Sequence, residues 1–201
     1  MSEQPAGSVL LAEATLVGRA QDGDVDSFEI LVRRYQAPIV RLAYRMVLDR
    51  GEAEDIAQDT FVLVWRQLPT LTDPAAFKGW VFQIATRGCL SLLRVRARRN
   101  TATVPAEDLQ TAQDRQPAGN ELSTQPSPDP ETAAQDAQQR HGLDDALGRL
   151  PMDQRACWVL HEIHALSYPE IAAATCIPVS TVRGRIARAR QNLQKDMSPW
   201  R

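Results

Sequence analysis

The sequence predicts an all-α protein: two small helical domains joined by a flexible linker. Three observations lead there. Apolar residues recur at helical spacing in two separate stretches, 12–100 and 141–201. No segment alternates apolar and polar residues over a strand-like length. Between the two stretches, residues 101–140 are acidic, rich in Pro and Gln, and poor in apolar side chains.

Composition narrows the function classes. The chain has 201 residues, 43% hydrophobic and 24% charged, with a net charge of −2. Taken whole, that balance argues against a generally basic nucleic-acid binder. No apolar run approaches the length of a membrane helix, and Met1–Leu11 lacks the basic start and apolar core of a signal peptide. The three cysteines, Cys89, Cys157 and Cys176, are far apart and odd in number, so no disulfide framework is expected and a reducing cytoplasm fits.

The average hides a pattern. Residues 1–26 carry net −4, 27–99 carry +5, 100–140 carry −5 and 141–201 carry +2. Two basic blocks are thus separated by an acidic one. Within the acidic block the large apolar residues are Val104, Leu109 and Leu122, too few to offset the entropy of ordering the segment. As a random coil it would span roughly 30–40 Å.

In the first block, Asp26-Ser27-Phe28-Glu29 resembles a capping box. Phe28, Leu31, Val32, Tyr35, Ile39, Leu42 and Met46 follow at helical spacing, with Pro38 expected to kink or split the helix. A second helix is expected from near Glu52, with Ile56, Phe61, Val64, Trp65 and Leu68 on its apolar side. Asp73-Pro74 is a good start for a third, carrying Phe77, Trp80, Val81, Ile84, Leu90 and Leu93 and ending in Arg94–Arg99.

Two surfaces here have chemical content. Asp55, Gln58, Asp59 and Val62 lie at i, i+3, i+4 and i+7 and share a helix face, with Glu54 beside them. Such a face is either a solvated one whose acids complement the helix dipole, or a docking surface for a basic partner. The helix from Pro74 to Arg99 holds Lys78, Arg87, Arg94, Arg96, Arg98 and Arg99 and no acid, with Phe77, Trp80 and Phe82 near its start. Basic charge follows a phosphate backbone and aromatic faces stack on exposed bases, although Phe and Trp also serve as core.

The last block contains a helix-turn-helix pattern. Leu166–Ala174 reads as a short helix opened by Ser167 with Pro169 early, Thr175–Pro178 as the turn, and Val179–Gln194 as the second helix. Val179, Val182, Ile186, Ala189 and Leu193 form its inward stripe. Ser180, Gly184, Ala187 and Arg188 lie opposite, flanked by Thr181, Arg183, Arg185 and Arg190. A helix apolar on one side, basic on the rest and headed by hydroxyl residues suits the DNA major groove. Upstream, helices are expected over Leu143–Leu150 and Met152–Ala165. In the latter, Cys157, His161 and His164 fall on one helix face, but a fourth ligand is missing and a buried thiol beside two surface histidines is the preferred reading.

These residues resemble a bacterial sigma factor of the extracytoplasmic-function (ECF) subgroup. Ala53-Glu54-Asp55-Ile56-Ala57-Gln58-Asp59-Thr60-Phe61 is similar to the segment that docks on core RNA polymerase. Phe77-Lys78-Gly79-Trp80-Val81-Phe82-Gln83-Ile84-Ala85 is similar to the promoter-melting and −10 segment. Leu166–Ala172 with Ile177–Arg183 is similar to the −35 helix-turn-helix. The resemblance implies core polymerase binding by Glu54, Asp55, Gln58, Asp59 and Val62. It implies −10 strand binding by Phe77, Lys78, Trp80, Arg87, Arg94, Arg96, Arg98 and Arg99. It implies −35 duplex binding by Ser180, Thr181, Arg183, Gly184, Arg185, Ala187, Arg188 and Arg190. It further implies core polymerase, promoter DNA and an anti-sigma factor as partners, with no catalytic residue, cofactor or metal.

The chain departs from the family pattern in three places. Cys176 stands where the turn usually has Gly, which implies a differently shaped turn. Arg87-Gly88-Cys89 replaces a segment often containing Asn, which implies an unusual −10 preference. The linker is long, and its acidity fits a nucleic-acid mimic running through a cationic polymerase channel. Rival classes lack their marks: there is no receiver-like strand pattern, P-loop, dinucleotide turn or nucleophile elbow.

Overall fold

The computed structural model describes residues 12–102 and 142–197. All regular structure among the described residues is helical. The elements are α1 (Glu13–Gln21), α2 (Val25–Val47), α3 (Arg50–Gln67) and α4 (Phe77–Ala102), then α5 over residues 142–149, α6 (Met152–Trp158), α7 (Tyr168–Thr175) and α8 (Val179–Met197). Residues 103–140, most of the expected linker, lie outside the described residues. Residues 101 and 102 belong instead to the last turn of α4.

Local chemistry sets the helix ends. Asp24, rather than Asp26, caps α2: its carboxylate accepts from the backbone N–H of Asp26 and Ser27 and from the Ser27 hydroxyl at 2.6 Å. The helix therefore begins two residues earlier than the Ser27–Glu29 pattern suggests. Pro38 neither ends nor splits it, because α2 runs unbroken to Val47 and terminates at left-handed Leu48. The neighbouring residues Ile39, Val40, Leu42 and Ala43 are buried, and that packing outweighs the one hydrogen bond Pro38 removes. Asp73 does open the expected helix, but through a 3-10 turn (Pro74–Ala76) before α4 proper.

α1 to α4 wrap around Leu16, Leu31, Tyr35, Ile39, Leu42, Met46, Phe77, Val81 and Phe82. α1, which no strong periodicity marks, is tied to the end of α3: Gln21 Nε2 donates to the carbonyls of Leu68 (3.0 Å) and Leu71 (2.7 Å). α5 to α8 surround Leu147, Leu160, Leu166, Ile171, Val182 and Ile186. The inward stripe expected for α8 is buried from Val182 to Leu193, with Val179 half-buried.

The expected single helix over Met152–Ala165 is interrupted. α6 stops at Trp158 and passes into a π-helical turn, Val159–Ile163, before left-handed Ala165. That turn shifts the side-chain register. His161 and His164 consequently do not sit over Cys157, and no metal-like group of three ligands exists among the described residues. His164 is buried rather than exposed, its ring tilted against Phe82 of α4 with centroids 4.8 Å apart.

The two helical groups pack on each other. α7 lies against α4, and the π-turn and α6 touch α2. Arg45 of α2 faces Asp144 of α5 at 3.7 Å, both largely buried. Gly148 brings α5 against Leu48.

Candidate nucleic-acid interface

The α3 face forms as the spacing predicts. Asp49 caps the helix by accepting from Glu52 N–H at 3.0 Å, which fixes the phase of the turns that follow. Glu54, Asp55, Gln58, Asp59 and Val62 are all exposed. Glu54 is engaged by Arg50 at 3.0 Å, an i,i+4 pair, so it is the least available acid of the group. Val62 is 49% exposed and is joined by exposed Leu63 and Trp65, with Ile30 and Val25 exposed on α2. Trp65, expected in the core, instead lies at the surface, leaning on half-buried Phe28 with ring centroids 4.7 Å apart. Exposed acids and exposed apolar side chains are thus interspersed on this face.

α4 presents a mixed set. Lys78, Arg87, Arg94, Arg98 and Arg99 are exposed. Phe77 is not: it is 1% exposed and packs edge-on to Tyr35 at 5.5 Å, so its ring offers no stacking face in this arrangement. Trp80 is half-buried, its ring tilted towards Phe77 with centroids 6.2 Å apart. Arg96 is also taken up internally. It pairs with Glu52 of α3 and donates to the Val47 carbonyl at 3.1 Å, tying α4 to the α2–α3 corner. No local sequence signal distinguished Arg96 from its neighbours, because its partners are more than forty residues away.

In the helix-turn-helix, α7 is opened by a full capping box. The Ser167 hydroxyl caps the N–H of Glu170, whose carboxylate accepts from Ser167 N–H at 2.7 Å. Cys176 takes the left-handed conformation (φ 57°, ψ 42°), so the turn keeps the shape that glycine favours despite the side chain. On α8, Ser180, Thr181, Arg183, Ala187, Arg188 and Arg190 are exposed, with Gly184 and Arg185 half-exposed. Two of the arginines have acidic partners in the same helical group. Arg185 bonds Asp153 at 2.7 Å, and Arg190 Nε bonds Glu162 at 3.0 Å, which holds the Glu162 carboxyl below its usual range. Arg183 lies over the Tyr168 ring, 5.5 Å from its centroid.

The relation between α4 and α7 was not legible in the sequence. Gln83 Nε2 and Arg87 Nη2 both donate to the Ala173 carbonyl, at 3.1 and 3.3 Å. The carboxylate of Glu170 fills the space over Gly79. Part of the basic helix is therefore covered by the helix-turn-helix. Beside this contact a cavity of about 310 Å³ opens between Leu90 and Arg94 of α4 and Met152, Ala156 and Arg185 of the C-terminal helices.

Known proteins are similar to this chain in sequence and fold. Residues 31–99 match the family model for Sigma-70 region 2, and residues 140–193 that for Sigma-70, region 4. The chain is 34% identical to the RNA polymerase sigma-H factor of Pseudomonas aeruginosa over 92% of its own length and 93% of the relative's. It is 32% identical to the ECF RNA polymerase sigma-E factor of Escherichia coli, covering 99% of this chain and 98% of that one. Among solved structures it is similar to CnrH in complex with the cytosolic domain of CnrY, with a TM-score of 0.65, 25% identity, and coverage of 94% of this chain and 99% of that one. A sigma factor from Bartonella quintana shares the fold, with a TM-score of 0.62 at 24% identity and coverage of 85% of this chain and 96% of that one. The chain belongs to the ECF sigma factors, which direct RNA polymerase to initiate transcription at specific promoters. None of its described helices is long and apolar enough to cross a membrane.

Proposed function

We propose a division of labour among three surfaces, carried by units spanning residues 12–100 and 141–201 and joined by 101–140. Asp55, Gln58, Asp59 and Val62, with Glu54 at the edge, dock on a basic helical surface of core polymerase. The observation that carries this is the exposure of all five on one face of α3, next to apolar Leu63 and Trp65.

Lys78, Trp80, Arg87, Arg94, Arg98 and Arg99 hold the opened −10 strand, while Phe77 and Arg96 support α4 from within. Ser180, Thr181, Arg183, Gly184, Ala187 and Arg188 face the −35 duplex, and Arg185 and Arg190 brace α8 on Asp153 and Glu162. The chain acts in the cytoplasm, binds and positions, and catalyses nothing itself. Because Arg87 donates to the Ala173 carbonyl, a −10 strand competes with α7 for that arginine. A cytosolic anti-sigma segment is a fitting partner for the closed form, since the similar CnrH is found with the cytosolic domain of CnrY.

Run-off transcription with core enzyme tests the assignment. Asp55→Arg removes core binding and run-off product while leaving the circular dichroism spectrum unchanged, as an exposed substitution should. Full run-off by the variant would refute the α3 assignment.

A further inference from the structure

The two arginines at positions 183 and 190, one turn-pair apart on α8, both end on one cluster supplied by the preceding elements. His161 of the π-turn stacks on Tyr168, the first residue of α7, with ring centroids 4.9 Å apart and planes 14° from parallel. His161 Nδ1 lies 3.1 Å from Glu162 Oε1, and the same oxygen accepts from Arg190 Nε at 3.0 Å. Tyr168 is thus held twice: the Ser167–Glu170 capping box fixes the start of its helix, and His161 stacks on its ring. Over that ring lies the guanidinium of Arg183, within the range of a cation–π contact.

An exposed arginine has many rotamers, and freezing it on a base edge costs entropy. A guanidinium laid on an aromatic ring is held by its face, so its in-plane N–H groups remain directed outward for a bidentate acceptor. We propose that Tyr168, buttressed by His161, is a positioning residue for Arg183, and that it sharpens −35 base selectivity without contacting a base itself. The proposal rests on the assignment of Arg183 to the −35 duplex.

The test uses the full chain assembled with core polymerase and a promoter selected from a library randomised at −35. Binding is measured to the selected site and to single-base variants for wild type, Tyr168→Phe, Tyr168→Leu, Arg183→Ala and the Tyr168→Leu/Arg183→Ala pair. Thermal melting of each free protein accompanies the series. Tyr168→Leu should lose roughly fivefold of the discrimination at the base that Arg183 reads, a factor ordinary for a cation–π contact. Tyr168→Phe, which keeps the ring, should retain wild-type selectivity, and the double variant should be no worse than Arg183→Ala alone.

If Tyr168→Leu keeps wild-type selectivity while Arg183→Ala loses it, the positioning role is overturned and the Arg183 assignment stands. If Arg183→Ala itself changes no base preference, that assignment falls first. A uniform loss at every −35 base in Tyr168→Leu, or a Tyr168→Phe variant as poor as Tyr168→Leu, also overturns the ring-based account.

Discussion

The carboxylate of Glu170 occupies the space that Gly79 leaves empty: a Cβ on residue 79 would stand 2.6 Å from Glu170 Oε1. Glu170 is not free to swing away cheaply, because its carboxylate closes the capping box with the Ser167 N–H and hydroxyl at 2.7 and 2.6 Å. Gly79 lies in the first turn of α4, where alanine is the better helix former by about 1 kcal/mol. Gly79→Ala should therefore leave the N-terminal helices at least as stable while loosening α7 from α4. Small-angle scattering of the free protein should report a larger radius of gyration. An unchanged radius would mean that the contact does not govern closure.

Closure should also depend on pH. His164 is buried between the two helical groups with an unpartnered Nε2, against Phe82. Burial first, then the charges of Arg45, Arg41 and Lys78, push its pKa down from 6.5 to about 4. Asp144 is the acid facing Arg45 across the same junction. A histidine whose packed-state pKa is depressed binds its proton more readily once released, so the packing is fully supported above about pH 6.5 and weakens as pH falls towards 4. The loss at the acidic end is on the order of 3 kcal/mol. Scattering or interdomain energy transfer should show opening between pH 6.5 and 4.5, and His164→Leu should flatten that part of the profile. Identical profiles for the two proteins would remove His164 as the cause.

Most of the helices were legible because they bury a stripe at the 3.6-residue period, as the buried sets from Leu31 to Met46 and from Val182 to Leu193 do, whereas short α1 carries too few apolar positions to show one. What escaped has a physical reason in each case. The cap at Asp24 competes with an equally plausible residue two positions on, and only the backbone entry angle decides between them. The π-turn at Val159–Ile163 leaves no compositional mark, so His161 and His164 appear aligned with Cys157 until the register shifts. The α4–α7 contact is made by Gln83, Arg87 and Glu170, which are ordinary surface types by pattern. Phe77 was an even choice between stacking face and core by pattern, and in this arrangement its ring packs against Tyr35, a partner more than forty residues away in the chain.

The arginines of α8 should differ in their response to salt. Arg188 is exposed and has no acidic partner among the described residues, whereas Arg190 shares its charge with Glu162. Each phosphate contact contributes about 0.9 to the slope of log affinity against log salt. Arg188→Ala in the holoenzyme should lower that slope by about one and weaken all −35 sequences similarly. Arg190→Ala should change it less. Glu162→Gln, by releasing Arg190, should raise affinity for non-specific duplex. Equal slopes for the Arg188 and Arg190 variants would show that the Glu162 pair opens on DNA.

Cys176 offers a stability test of the turn. It holds a left-handed backbone at φ 57° between α7 and α8, with its N–H bonded to the Ala172 carbonyl. For a residue with a Cβ that conformation costs roughly 1–2 kcal/mol, which glycine avoids, while glycine's extra freedom in the unfolded chain takes back about 0.5–1 kcal/mol. Cys176→Gly should therefore stabilise the helix-turn-helix by up to about 1 kcal/mol, seen as a rise of a few degrees in melting temperature. Cys176→Val should do the reverse, since a β-branched side chain fits that region worst. The sulfur lies 4.0 Å from Arg87 Nη2, so the glycine variant also removes a weak tie to α4. Melting should thus improve while the closed form loosens slightly. A glycine variant that melts lower than wild type would show that the side chain's contacts outweigh the backbone strain.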